Sequence, residues 1–250
     1  MFDPSRDAPD LEIAKRVLPK PLFKAIHHLF AQRLPDVALV GGTALSGFYA
    51  GHRRSDDLDL FCKTELGKIT ALQAVRSLST QGAVVQETMN TPHYFRAVCE
   101  WEGHSFTVDV VLDSNLFRVG EFSAIEGGLV ASLKTILRMK AATLVSRCSE
   151  KDLYDLYWLF HHLKQPLSMK EFCELAQSVD AGATPEGMLL SLAGAQLSKN
   201  ACDFCTQETP VQGFAKIQSL RKELIRDLKD YGTHNGKAVL QDTIKRARRL

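Results

Sequence analysis

Apolar positions recur at helical spacing over residues 11–33, and Pro21 stands where it can open the main segment, PLFKAIHHLFAQR. Asp36–Val40 is a short apolar run that ends in Gly41-Gly42, the pattern of a buried strand running into a turn. TALSGFYAGH then predicts a short helix with Thr43 available as its N-cap. Leu58–Phe61, inside DDLDLFCK, alternates acid with apolar residue and predicts a strand. Residues 65–79 predict a helix. Three strands follow in GAVVQETM, HYFRAVCEW and HSFTVDVVLD, with Glu102-Gly103 between the last two as a tight hairpin turn. After Gly127-Gly128 the period changes. SLKTILRMKAATLVSR and KDLYDLYWLFHHL repeat apolar residues at helical spacing, and fainter helical patterns continue near 168–178, 185–197, 214–230 and 237–249. The chain is therefore expected to be α/β (α+β), with a mixed-sheet half over residues 1–125 and a helical half over 126–250. No polar linker separates the halves, so they are expected to pack together around a cleft.

Composition narrows the function classes only a little. The 250 residues are 45% hydrophobic and 24% charged, ordinary for a folded domain. No apolar run approaches the ~18 residues that span a bilayer. The N-terminal stretch has acids and no apolar h-region, so it does not read as a signal peptide, and the expected location is the cytoplasm. The net charge of +2 argues for no particular partner, but residues 216–250 hold ten Lys/Arg against four Asp/Glu. That basic end suits phosphate-backbone contact or, equally, a solvated helix face. Of six cysteines, Cys202 and Cys205 form a lone C-x-x-C, two ligands short of a structural zinc site.

The chemistry is concentrated in Val40-Gly41-Gly42-Thr43 and the following Arg54-Ser55-Asp56-Asp57-Leu58-Asp59-Leu60. Glycines let main chain approach a ligand without a Cβ in the way. Amides at a following helix start suit a phosphate. Asp57 and Asp59, two apart on a strand, point to one face. Two carboxylates on one face suit a hard divalent cation such as Mg²⁺, which takes oxygen ligands and bridges substrate phosphates. Asp109, in Thr107-Val108-Asp109-Val110-Val111, is a third acid on a later strand. If that strand lies beside the first, it completes a second metal position or accepts a proton.

This order of features resembles the signature of the DNA polymerase β-like nucleotidyltransferase superfamily: apolar strand, Gly-Gly or Gly-Ser, a spacer, then acid-apolar-acid. GGTALSGFYAGHRRSDDLDLF is similar, more closely, to the AbiEii/AbiGii toxin family of nucleotidyltransferases. A later helical pattern of that family is matched by Met139-Lys140, Arg147, Lys151-Asp152 and Asp155-Leu156-Tyr157, so the resemblance runs from about Val37 to Phe160. Where the superfamily often carries Ser after the glycine, this chain has Gly42 and then Thr43.

The resemblance implies a nucleotidyltransferase-like catalytic half and an enzyme that moves a nucleoside monophosphate from an NTP to a hydroxyl acceptor with Mg²⁺ or Mn²⁺. It implies RNA, such as the tRNA 3′ end, as acceptor, and a toxin with a cognate antitoxin. On this reading Asp57, Asp59 and Asp109 hold metal. Gly41, Gly42, Thr43, Arg54 and Arg147 contact the nucleotide. Lys140 and Asp152 complete the catalytic set, Lys134 being the rival to Lys140 for the phosphates. The three strand acids are expected to converge on a cleft facing Lys140. An aminoglycoside-type small-molecule transferase and a catalytically silent nucleotide-binding module remain as alternatives.

Overall fold

The computed structural model describes Phe2 and residues 7–234. Two compact units divide between Thr135 and Ile136. The first carries all the strands among the described residues. It opens with helices α1 (Leu11–Val17) and α2 (Lys20–Ala31). They are two helices rather than one because Leu18 precedes Pro19 and is extended, a conformation that the proline ring imposes on its predecessor. Strand β1 (Val37–Val40) leads directly into α3 (Gly41–Leu45), which continues as one π-helical turn over Ser46–Ala50. Thr43 therefore lies inside α3, and Val40 takes the N-cap position. Next come β2 (Asp57–Cys62), α4 (Glu65–Ser77), β3 (Val84–Asn90), β4 (Tyr94–Trp101), β5 (His104–Leu112) and α5 (Ser114–Val119). The unit closes with the hairpin β6 (Phe122–Ile125) and β7 (Gly128–Ala131).

The seven strands form one mixed sheet in the order β3-β4-β5-β2-β1-β7-β6. β2 and β5 run parallel, with Asp57 opposite Thr107 and Asp59 opposite Asp109. β1 is antiparallel to β2 and parallel to β7. The turn at Glu102-Gly103 has φ of +51° and +75°, and Glu126-Gly127 repeats it at +46° and +87°. Two successive positive φ values give the type I′ twist that matches flanking strands. Alternation decides the sheet's faces: Leu58, Leu60, Val108 and Val110 are at most 2% exposed, while the acids between them point the other way. Burying four such side chains contributes several kcal/mol, at roughly 1.5–3 kcal/mol each.

The second unit is helical. The boundary falls inside α6 (Leu133–Ser146), and α7 (Glu150–His162), α8 (Met169–Val179), α9 (Pro185–Gly194) and α10 (Pro210–His234) follow. α8 begins with a full capping box, Ser168 and Glu171 each satisfying the other's backbone amide. The core of this unit gathers Phe160, Phe172, Met188, Leu192, Leu220 and Leu224. The helix expected over 237–249 lies outside the described residues.

Candidate active site

The acid-bearing face of the sheet is a row built by register. Reading across it, Arg96 on β4 is opposite Asp109 on β5, Asp109 is opposite Asp59 on β2, and Asp59 is opposite Val40, the last residue of β1. Asp57 stands one pleat away on the same face as Asp59, and its Oδ1 accepts a hydrogen bond from the Thr107 hydroxyl at 2.7 Å. Asp57, Asp59 and Asp109 thus share one face of two adjacent strands, about 4.8 Å apart.

β1 delivers Gly41 to the end of this row. Gly41 has φ +71°, and a Cβ there would overlap Oδ2 of Asp59 and stand 3.0 Å from its Cγ. Only glycine lets main chain pass this close to the carboxylate. Gly42 is equally constrained: a Cβ would overlap the Arg53 guanidinium and lie 3.4 Å from the Ser55 hydroxyl. Thr43 is fully buried, and its hydroxyl donates to the main-chain carbonyl of Asp57 and lies 2.8 Å from Oγ of Ser55. Its side chain therefore ties the start of α3 to the start of β2. Ser46 makes a second tie, donating to the Arg53 carbonyl. Arg53 is buried and donates to the carbonyl of Arg54, whose own side chain is exposed.

Asp109 is held by two side chains of β4. Arg96 grips it with Nε to Oδ1 and Nη2 to Oδ2, both at 2.7 Å, and the Tyr94 hydroxyl donates to Oδ1 at 2.7 Å. Burial and then the hydrogen bond to Asp109 push the Tyr94 phenol up to about 12. Arg96 is held well above its ordinary value, first by its bond to Asp109. Sequence patterning missed Arg96 and Tyr94. They alternate with Phe95 and Ala97 like any solvated strand face, and only the pairing register reveals what they meet.

The donor set suits a divalent cation in part. Asp57 and Asp59 fit: two hard oxygen donors share a face, and the missing Cβ of Gly41 leaves room beside Oδ2 of Asp59. The oxygens of Asp109 are already engaged. Among the described residues no cluster of three or more His, Cys, Asp or Glu side chains is arranged to hold a metal ion.

In the helical unit Lys140, Asp152 and Asp155 form a buried triad. Lys140 Nζ is 2.8 Å from Asp152 Oδ1 and 2.7 Å from Asp155 Oδ2, with the side chains 7%, 1% and 0% exposed. Asp152 Oδ2 also accepts from Arg147 Nε at 3.0 Å and Ser149 Oγ at 2.6 Å. Ser149 in turn caps α7 through the Asp152 amide. Burial pushes the Asp152 carboxyl up. Lys140, then Arg147, together with the hydrogen bonds from Lys140 and Ser149, outweigh it and hold the group below its ordinary value. Lys134 is paired with Glu121 at 2.5 Å in the sheet unit. In the described part of the basic end, Lys216 pairs with Glu208, Arg226 with Asp227, and Arg221 donates to the carbonyls of Leu192 and Ala193.

The fold and the Gly-Gly strand feeding an acid-apolar-acid strand define a nucleotidyltransferase. The model of the family described as nucleotidyl transferase AbiEii toxin, type IV toxin–antitoxin system, matches residues 22–199, and the chain belongs to that family. Among solved structures, the nucleotidyltransferase toxin MenT4 from Mycobacterium tuberculosis superposes with a TM-score of 0.54 at 15% identity, covering 88% of both chains. JHP933 from Helicobacter pylori gives 0.50 at 19% identity, covering 86% of this chain and 97% of its own. At these identities the likeness is one of fold. No curated protein matches the sequence.

Proposed function

We propose that this transferase moves a nucleoside monophosphate from an NTP to a hydroxyl on RNA, with the tRNA 3′ end as acceptor class, as the toxin of a pair with a cognate antitoxin. The observation that carries the site is the fit of Gly41 against Asp59, beside Asp57 on the same face. Asp57 and Asp59 hold Mg²⁺ or Mn²⁺, which when bound neutralises triphosphate charge. The main chain at Gly41 and Gly42 approaches the phosphates, with Thr43 fixing its course from beneath, and exposed Arg54 adds a positive charge. The acceptor oxygen attacks the α-phosphorus, the bond to the β-phosphate oxygen breaks, pyrophosphate leaves, and the acceptor proton passes to a base. Such transfer is mostly positioning and electrostatics. Lys140 and Asp152, joined by Arg147, support it by fixing α6 against α7. The basic run of residues 216–250 is compatible with an RNA acceptor.

The test is incubation of pure protein with each labelled NTP, Mg²⁺ and total RNA. Label should appear on RNA, and Asp57→Asn and Asp59→Asn should each abolish it. Transfer retained by both variants would remove the metal assignment. Binding to RNA that weakens steeply with salt supports the RNA acceptor, and activity indifferent to moderate salt would favour a small molecule.

A further inference from the structure

Three carboxylates on one face of adjacent strands repel one another, and something must offset them. In this sheet the offset is a side chain. Arg96 sits in register on the far side of Asp109 from Asp59 and covers both Asp109 oxygens, while Tyr94 adds a third hydrogen bond. A bidentate guanidinium–carboxylate pair is among the strongest and most directional of side-chain contacts.

This is no ordinary surface pair. Arg76 and Glu87, elsewhere in the same unit, are 48% and 36% exposed, the kind of pair that contributes little. Asp109 is 13% exposed and stands in register with Asp59, whereas Arg96 keeps 46% exposure. With Nε and Nη2 spent on Asp109, Nη1 donates to none of the described residues. The guanidinium is thus both an anchor for Asp109 and an open cationic surface at the edge of the acid row.

We infer that Arg96 is the resident counter-cation of this site: by occupying Asp109 it restricts the site to one divalent cation, on Asp57 and Asp59, and stands where a second cation would otherwise be drawn. Arg96 is a positioning residue in this scheme, and Asp109 is its seat rather than a metal ligand. The inference rests on the reading that Asp57 and Asp59 hold a divalent cation.

Electron paramagnetic resonance with Mn²⁺ tests it without reference to turnover. The chain is mixed with an equal amount of a non-hydrolysable NTP and titrated with Mn²⁺. The wild type should take up one ion per chain, with the spectrum of an isolated ion. Arg96→Gln frees Asp109 and should take up a second, with the broadening of two coupled ions ~4 Å apart. Asp109→Asn should still take up one, and this variant decides the matter if Arg96→Gln does not fold. Two coupled ions in the wild type, a single ion in folded Arg96→Gln, or loss of the ion in Asp109→Asn would overturn the inference while leaving a metal on Asp57 and Asp59. No bound ion in the wild type would overturn that underlying reading, and the inference with it.

Discussion

Gly41→Ala separates the chemistry from the fold more sharply than removal of an acid does. Two costs follow from one methyl group. The first is conformational: Gly41 has φ +71°, and an L-residue held there loses about 1–2 kcal/mol. The second is local: the new Cβ overlaps Oδ2 of Asp59, so that oxygen must recede, by on the order of 1 Å, a misplacement that costs about 10²-fold in rate. Gly82 supplies the control. It has φ +92°, and a Cβ there meets nothing within 4 Å. Gly82→Ala therefore incurs the conformational cost alone. Thermal melts should show both variants lowered by a similar ~2–8 °C, from ~2–4 °C per kcal/mol in a chain of this size. Nucleotide transfer, measured on the folded fraction at saturating NTP, should fall about 10²-fold in Gly41→Ala and stay near wild type in Gly82→Ala. If the two variants transfer within about threefold of each other, ~0.6 kcal/mol, the close approach of Gly41 to Asp59 has no catalytic meaning.

Lys140→Met should destabilise by about 3–5 kcal/mol in urea titrations, because it removes the buried cation that two buried carboxylates share, whereas a loss under 1 kcal/mol would show that water reaches them. Ser149→Ala removes the α7 cap and a hydrogen bond to the Asp152 carboxylate, and should cost about 1–2 kcal/mol by the same measurement. Asp152 has a folded pKa below its unfolded value of about 3.9, so its contribution is complete above that pH and is lost as pH falls through the folded value. Acid melting curves of Asp152→Asn should accordingly be flatter than those of the wild type between pH 5 and 3 or so.

Much of this arrangement is legible in one dimension, and the remainder fails for identifiable reasons. DLDLF announces its strand because alternation is local, and Glu102-Gly103 announces its turn because type I′ geometry favours glycine at its second position. Glu126-Gly127 carries the same signal, but FSAI and GLVA are four residues each, too short for a period to emerge. β7 is a strand because it pairs with β1, ninety residues earlier in the chain, and no local pattern encodes that. Pro21 does open the main helix of the 11–33 segment, and the residues before it form a separate short helix because Pro19 makes Leu18 extended. In the site, Asp57 and Asp59 can be read together because they are neighbours on one strand. Arg96 cannot, because its meaning depends on β4 pairing with β5 so that Arg96 meets Asp109.

The parallel register of β2 and β5 has a consequence for how the protein folds. Shifting either strand by one residue would turn all its side chains over. On β2 that would send Asp57 and Asp59 into the space of Leu58 and Leu60, and on β5 it would bury Asp109 in place of Val108. An ionised carboxylate without partners in an apolar interior is so costly that these misalignments are excluded almost at once. The acids of the candidate site therefore also proofread the pairing of two strands separated by more than forty residues of chain. Replacing them with valine would remove the proposed metal ligands and license the wrong alignment together, so an inactive valine variant would carry two causes in one measurement, and the polar asparagine variants keep them apart.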